Sequence, residues 1–257
     1  MVGIVRCYNI VSCSLFAVTN NIYHLYKNQT NIVVYSKSGF TPSCSTCDCI
    51  ATLCNIAQRR QDFGYPTFAA FVDLCAAFDS LSRPALSLLL TRLGIPDKVV
   101  RLFRVLYDNS VSCVRTGGTH SSWFKIEAGV CARAVCWPQT HLPQAWIGCW
   151  TGLLNLAQFG LAFGQSSFTD LDFADDVSLL VELLELLVPI LETMASEAAS
   201  LGLEVNWQKT KVQDLGCRED MPLAIKVLGQ DVMVVEEFVY LGSLIHSSTG
   251  STCNISC

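Results

Sequence analysis

The sequence predicts an α+β fold in which an antiparallel sheet is covered by helices on one face. Three features point there: a continuous apolar run around Phe71, two amphipathic stretches directly after it, and short apolar segments separated by turn residues in the second half. The run TFAAFVDLCAAF combines aromatic and small apolar residues with a lone acid, as a buried central strand does, and Asp73 stands at its end. From Ser82, an N-cap candidate, Leu86, Leu89, Leu90 and Leu93 recur at helical spacing until Gly94 and Pro96 stop the pattern. A second helix starts at Pro96, carries Val99, Val100, Phe103 and Leu106 on one face, and ends near Asn109. VSCVRTGGTHSSWFKI reads as two strands around Gly117-Gly118. FTDLDFADDVSLLVE has apolar residues on both sides of an Ala-Asp-Asp tip, the pattern of a tight hairpin with acids at its turn. Leu179 to Leu201 reads as a helix that Pro189 kinks or splits. AIKVLGQDVMVV reads as two strands joined at Gly229-Gln230, and FVYLGSLI as further short strands.

Composition narrows the function classes. The 257 residues leave room for one compact domain or two small ones, at ~100 to 200 residues per domain. With 51% hydrophobic and 15% charged residues the chain has a folded, not a disordered, composition. A formal charge of −5 gives no strong overall field for a polyanion, so nucleic-acid contact is expected to be local. The 14 cysteines are scattered from Cys7 to Cys257. Their one cluster, Cys44, Cys47, Cys49 and Cys54, lacks the second nearby pair that zinc takes, since Cys131 and Cys136 are distant and more widely spaced. Thiols in a reducing compartment follow as the expectation, and with them an intracellular location in cytoplasm or nucleus. MVGIVRCYNIVSCSLFAV mimics a signal peptide loosely but has no small-residue cleavage site. Sequons at Asn28 and Asn254 matter only in a secreted chain. Ala134 to Thr169 contains no Asp, Glu, Lys or Arg and is long enough to span a bilayer. Gln144, Asn155, Gln158, prolines and glycines interrupt it, and neither flank carries a run of basic anchors, so no membrane partner is expected.

The chemistry-bearing residues are acids at strand ends. Nucleotidyl transfer uses two divalent cations, one activating a 3′ hydroxyl and one holding a triphosphate, and so needs carboxylates from neighbouring strands. Mg²⁺ prefers such hard oxygen ligands and keeps several waters. Asp73, Asp175 and Asp176 meet that requirement if their strands are neighbours. An Asp-Asp pair in a turn is by itself most often just solvated, so its context decides.

That context resembles the reverse transcriptases of LINE-type (non-LTR) retrotransposons, through several blocks in the family's order. SGFTPSCSTCD (Ser38 to Asp48) is similar to the fingers block before the palm, and AFVDLCAAFDSL (Ala70 to Leu81) to the motif with the first catalytic aspartate. FADD (Phe173 to Asp176) resembles the signature hairpin with the remaining acids. LGLEVNWQKTKV (Leu201 to Val212) and FVYLGSLIHSS (Phe238 to Ser248) resemble the end of the palm and its approach to the thumb. The joint order across residues 38 to 248 is far more specific than FADD alone. The resemblance implies an RNA-directed DNA polymerase palm with partial fingers, two Mg²⁺ ions, and a template-primer of RNA or DNA with deoxynucleoside triphosphates as partners. It implies Asp73 and Asp175 as metal ligands and Asp176 as an acid of the same cluster. Lys209 corresponds to the lysine near the triphosphate that protonates the leaving pyrophosphate. Phe78, five residues after Asp73, corresponds to the ring that excludes a ribose 2′ hydroxyl. Without the resemblance, Phe78 reads as core and Lys209 as a solvated surface lysine.

The sequence also departs from the family. Cys44 replaces a basic residue, a thumb is not recognisable after Ser248, and residues 1 to 37 match no family block. Where the family has a Gly-Val-Arg-Gln-Gly block, this chain reads GVCARAVCWPQ. Codons can be chosen for Val130 to Gln139 that spell VRQGCVLAP when read two bases later, and for Ala145 to Leu154 that spell MDWVLDRTA at the same offset. Residues 129 to 159 therefore read as a segment translated out of the ancestral frame, which also accounts for its uncharged, Trp- and Cys-rich text. The expected organisation is an unplaced segment over 1–37, a fingers remnant over 38–69, a palm over 70–248 and a tail over 249–257. Impaired polymerase activity is expected, with a non-catalytic retrotransposon remnant as the alternative.

Overall fold

The structure, a computed structural model, describes residues 2–7, 45–92, 95–130, 161–163, 166–168, 171, 173, 176–216 and 221–247. Among these the order is β1 (Val2–Cys7), α1 (Thr46–Asp62), β2 (Phe68–Val72), α2 (Ala77–Ser80), α3 (Arg83–Arg92), α4 (Asp97–Tyr107), β3 (Val111–Thr116), β4 (Thr119–His120) and β5 (Phe124–Lys125). β6 (Leu161–Phe163), β7 (Ser166–Phe168), β8 (Val177–Val181), α5 (Leu184–Ser200), β9 (Lys211–Asp214), β10 (Ala224–Val227), β11 (Gln230–Val235), β12 (Glu237–Tyr240) and β13 (Ser243–His246) follow. The architecture is α+β, as predicted. It divides into two compact units interleaved in sequence: Met1–Val34, Ala76–Gln139 and Leu201–Leu203 form the first, and Tyr35–Cys75, Thr140–Ser200 and Glu204–Cys257 the second.

In the first unit β3 pairs antiparallel with β1, β4 and β5. The β3–β4 turn sits where it was expected, with Gly117 and Gly118 at φ of 55° and 85°, the left-handed pair that a two-residue hairpin of matching twist requires. Helices α3 and α4 pack on each other with Leu86, Leu89, Leu90, Val99, Val100 and Phe103 buried, in line with their spacing. Ser82 precedes α3, its carbonyl taking the Leu86 N–H at 2.9 Å and its hydroxyl the Ala85 N–H at 3.4 Å. The Arg83 guanidinium donates to the carbonyls of Gly129 at 2.9 Å, Tyr107 at 2.9 Å, Ile126 at 2.8 Å and Ala128 at 3.2 Å. One planar group thus collects backbone acceptors from several loops. Gly129 has φ of 81° and lies so close to α2 that a Cβ would meet the Asp79 carbonyl oxygen at 2.6 Å, so no larger residue fits.

The second unit is built on a five-stranded sheet of order β10-β11-β9-β2-β8. It is mixed, not wholly antiparallel as expected: β9 and β11 run parallel, and β10 comes between them in the chain. Both faces of the central pair are covered, which corrects the expectation of helices on one side. Ala69, Phe71 and Leu180 pack on Cys49, Ile50, Leu53 and Ile56 of α1. The alternate residues Phe68, Ala70, Val72, Leu179 and Val181 are equally buried, and α5 runs along β8 and β10 with Leu187, Ile190, Leu191 and Met194 in the core. A strand buried on both faces has no polar alternation. For that reason Leu179 to Val181 read as helix in the sequence, whereas α5 begins only at Leu184. Pro189 does not split α5, which runs from Leu184 to Ser200 with the proline inside it.

Arg60, buried at the end of α1, donates to the Thr67 hydroxyl at 2.8 Å and the Pro66 carbonyl at 2.9 Å and pairs with Glu182 at 3.1 Å, tying helix, β2 and β8 together. At the other end of α1 the Ser45 N–H and hydroxyl donate to Asp48 at 2.7 and 3.0 Å, holding that carboxyl below its ordinary pKa. Cys47, Cys49, Cys75 and Cys113 remain thiols, but Cys54 is disulfide-bonded, contrary to the expectation. Pairing follows proximity in space, which sequence spacing does not carry. Of the uncharged stretch 134–169, only β6 and β7 are described, and they pair antiparallel. Among the described residues no helix is long and apolar enough to cross a membrane.

The hairpin joining β10 to β11 turns at Leu228 and Gly229, with φ of 50° and 76°, and Gln230 already belongs to β11. Leu228 is 57% exposed and adopts a left-handed conformation that an L side chain resists. Leu228→Asn is expected to raise unfolding free energy by about 1 kcal/mol in a denaturant titration. Leu191→Ala, which empties a fully buried site on α5, is expected to lower it by about 2–5 kcal/mol.

Candidate functional site

β2 contains no polar side chain, so the first one available at its C-terminal end is Asp73. Across the sheet Val72 pairs with Val177, and the same antiparallel register makes Asp73 and Asp176 the next residues outward on adjacent strands. Both line a cleft of about 440 Å³ at this end of the sheet. Asp176 is held by a bridge to Phe173, each N–H donating to the other carbonyl at 3.0 Å, and the Leu171 N–H donates to Ser178 at 3.0 Å. The expected acid-bearing hairpin is therefore paired on both sides of residues 174 and 175, which lie outside the described residues, Asp175 among them.

A turn over residues 206–210 closes on Asp73. The Asn206 N–H donates to the Asp73 carbonyl at 2.8 Å, and the Asp73 N–H donates to the Thr210 hydroxyl oxygen at 3.3 Å. Thr210 is fully buried and donates to the Asn206 carbonyl at 2.9 Å, while the Lys209 and Thr210 N–H groups return to the same carbonyl at 3.1 and 2.9 Å. The Lys209 ammonium consequently stands 3.6 Å from Asp73 Oδ2. Lys211 lines the same cleft, its ammonium donating to the Gln208 carbonyl. Asp73, Asp176 and Lys209 are thus brought to one cleft. Phe78 belongs to the first unit, half-buried on α2, with its carbonyl accepting the Val130 N–H at 2.6 Å.

The β12–β13 hairpin forms the apolar wall. Phe71 stacks on Phe238 at 4.3 Å between centroids and 10° between planes, and meets Tyr240 at 5.2 Å. The Tyr240 hydroxyl donates to the Leu171 carbonyl at 2.6 Å, joining this wall to the acid hairpin. Gln213, fully buried on β9, donates to Glu236 at 2.9 Å and Ile245 at 3.0 Å and so fastens the hairpin to the sheet.

Asn206, Thr210 and Gln213 were not singled out in the sequence. An Asn and a Thr four residues apart between apolar stretches is a recognisable turn signal for the first two. Gln213 has none, since its partners come from a hairpin over twenty residues away.

Part-exposed carboxylates beside an open cleft suit Mg²⁺, which takes one or two carboxylates and completes its shell with water. Among the described residues no three His, Cys, Asp or Glu side chains converge on one point, so Asp73 and Asp176 are the described acids that fit it.

No family model matches the sequence, and no curated protein is significantly similar to it. Solved structures are similar in fold. Apo telomerase from Candida tropicalis truncated from the C-terminal domain superposes with a TM-score of 0.60 at 13% identity, covering 91% of this chain and 44% of that one. Apo telomerase from the same organism gives 0.56 at 12% identity, covering 90% of this chain and 38% of that one. Its complex with the TWJ fragment of telomeric RNA gives 0.54 at 12%, covering 95% and 38%. The chain thus spans less than half the length of each, and at these identities the likeness shows the fold, which is reverse-transcriptase-like.

Tyr240→Phe keeps the stacked ring and removes the bond to Leu171. It is expected to cost about 1 kcal/mol of stability by chemical denaturation and to raise amide exchange at Leu171 and Ser178.

Proposed function

We propose that the chain is an RNA-directed DNA polymerase palm of LINE-type retrotransposon descent, acting by two-metal nucleotidyl transfer at reduced efficiency. One observation carries the reading: Asp73 and Asp176, far apart in sequence, end adjacent antiparallel strands at the same cleft within a reverse-transcriptase-like fold. Asp73, Asp175 and Asp176 are the acids that would hold Mg²⁺. When bound, that ion supplies charge neutralisation for the triphosphate and a lowered pKa for the attacking 3′ hydroxyl. In this reading the 3′ hydroxyl gives its proton to solvent and its oxygen bonds to the α-phosphorus, the bond from that phosphorus to the bridging oxygen breaks, and pyrophosphate departs with a proton from Lys209; the resemblance gives Phe78 the exclusion of a 2′ hydroxyl. The substrates are a template-primer and deoxynucleoside triphosphates. Telomeric RNA in a structural neighbour is consistent with a nucleic-acid partner.

The alternative, a non-catalytic remnant, is favoured by GVCARAVCWPQ standing where the family has its Gln-Gly block. Primer extension on an RNA template with Mg²⁺ separates the two. Slow extension that falls about a hundredfold or more in the Asp175→Ala, Asp176→Ala double variant is expected, because a lost metal site forfeits several kcal/mol of transition-state stabilisation. No extension by folded, soluble protein would leave the remnant reading in its place.

A further inference from the structure

We infer that Lys209 is a resident counter-ion to Asp73, seated by the 206–210 turn, and that a divalent cation entering the cleft displaces it. This rests on the reading of Asp73 as a metal ligand. The turn is anchored to both backbone groups of Asp73, through Asn206 at its carbonyl and Thr210 at its N–H. The lysine backbone therefore cannot drift from the acid even when its side chain swings. The ammonium lies 3.6 Å from Oδ2, and the pair is wet, with side-chain exposures of 70% for Lys209 and 36% for Asp73. An exposed pair of this kind is weak enough to exchange. A divalent cation would use the same carboxylate oxygens, and two positive groups cannot share them without mutual repulsion.

Displacement leaves the ammonium in the cleft, on the wall it shares with Lys211. Metal entry then sets free a positive group for an anionic ligand at the same site, so a divalent cation and a polyphosphate favour each other's binding. Without the metal, the same lysine balances an acid that would otherwise stand uncompensated beside Asp176.

The test is Mn²⁺ binding to the full chain, followed by the electron paramagnetic resonance of free Mn²⁺, with thermal unfolding to confirm folded variants. Asp73→Asn is expected to weaken binding by about tenfold or more. Lys209→Gln is expected to tighten it by about two- to fivefold, the range an exposed ion pair supports, and Lys209→Arg to match the parent. Lys226→Gln, which removes the same charge from β10, is expected to change nothing, and Lys209→Gln added to Asp73→Asn to give no tightening. Unchanged affinity in Lys209→Gln, with the Asp73→Asn loss intact, overturns the counter-ion role and leaves the metal site standing. Mn²⁺ binding that ignores Asp73, or is absent, overturns both.

Discussion

The second unit depends on the pairing of β2 with β8. These five-residue strands are buried at every position, with α1 covering one face and the opposite face equally closed to water. Such a pair carries no charged side chain along its length, and Ser178 of β8 is its one polar residue, because a charge buried there loses its water without compensation. Charged groups appear only where the strands leave the sheet. Asp73 and Asp176 do so at the same end because the antiparallel register puts them there. The position of the acids is thus a consequence of burial and register together.

The surrounding groups hold that end of the sheet rigid. A turn locked by Thr210 and Asn206 fixes the approach of Lys209, and the Phe71–Phe238 stack with the Tyr240 hydroxyl fixes the apolar wall against the acid hairpin. Each of these contacts is worth little alone. The ring stack, the Tyr240 bond and the bonds from the turn to Asp73 join segments distant in sequence, so the cleft keeps its geometry only while the whole unit is folded.

The likeness to telomerase structures at 12–13% identity fits this picture. Such a fold needs apolar strands in a given order, and many sequences satisfy that. Fold and activity are separate matters here: the scaffold fixes where Asp73 and Asp176 stand, and the chemistry of the site decides what they do.

Most of the local structure was legible in the sequence. The β2 run, the apolar faces of α3 and α4, the Gly117-Gly118 turn and the paired segments around FADD all express local rules of periodicity and turn chemistry. The helix assigned from Leu179 failed because an apolar run with no alternation looks the same in a buried strand as in a buried helix. The disulfide at Cys54, the parallel step from β9 to β11, the interleaving of the two units and the role of Gln213 were not legible, since each is an agreement between residues remote in the chain. The sequence by itself determined which residues could do chemistry and that they stand at strand ends. Only the tertiary structure decided that Asp73, Asp176 and Lys209 share one cleft, because register and turn closure are set by long-range pairing that no local pattern encodes.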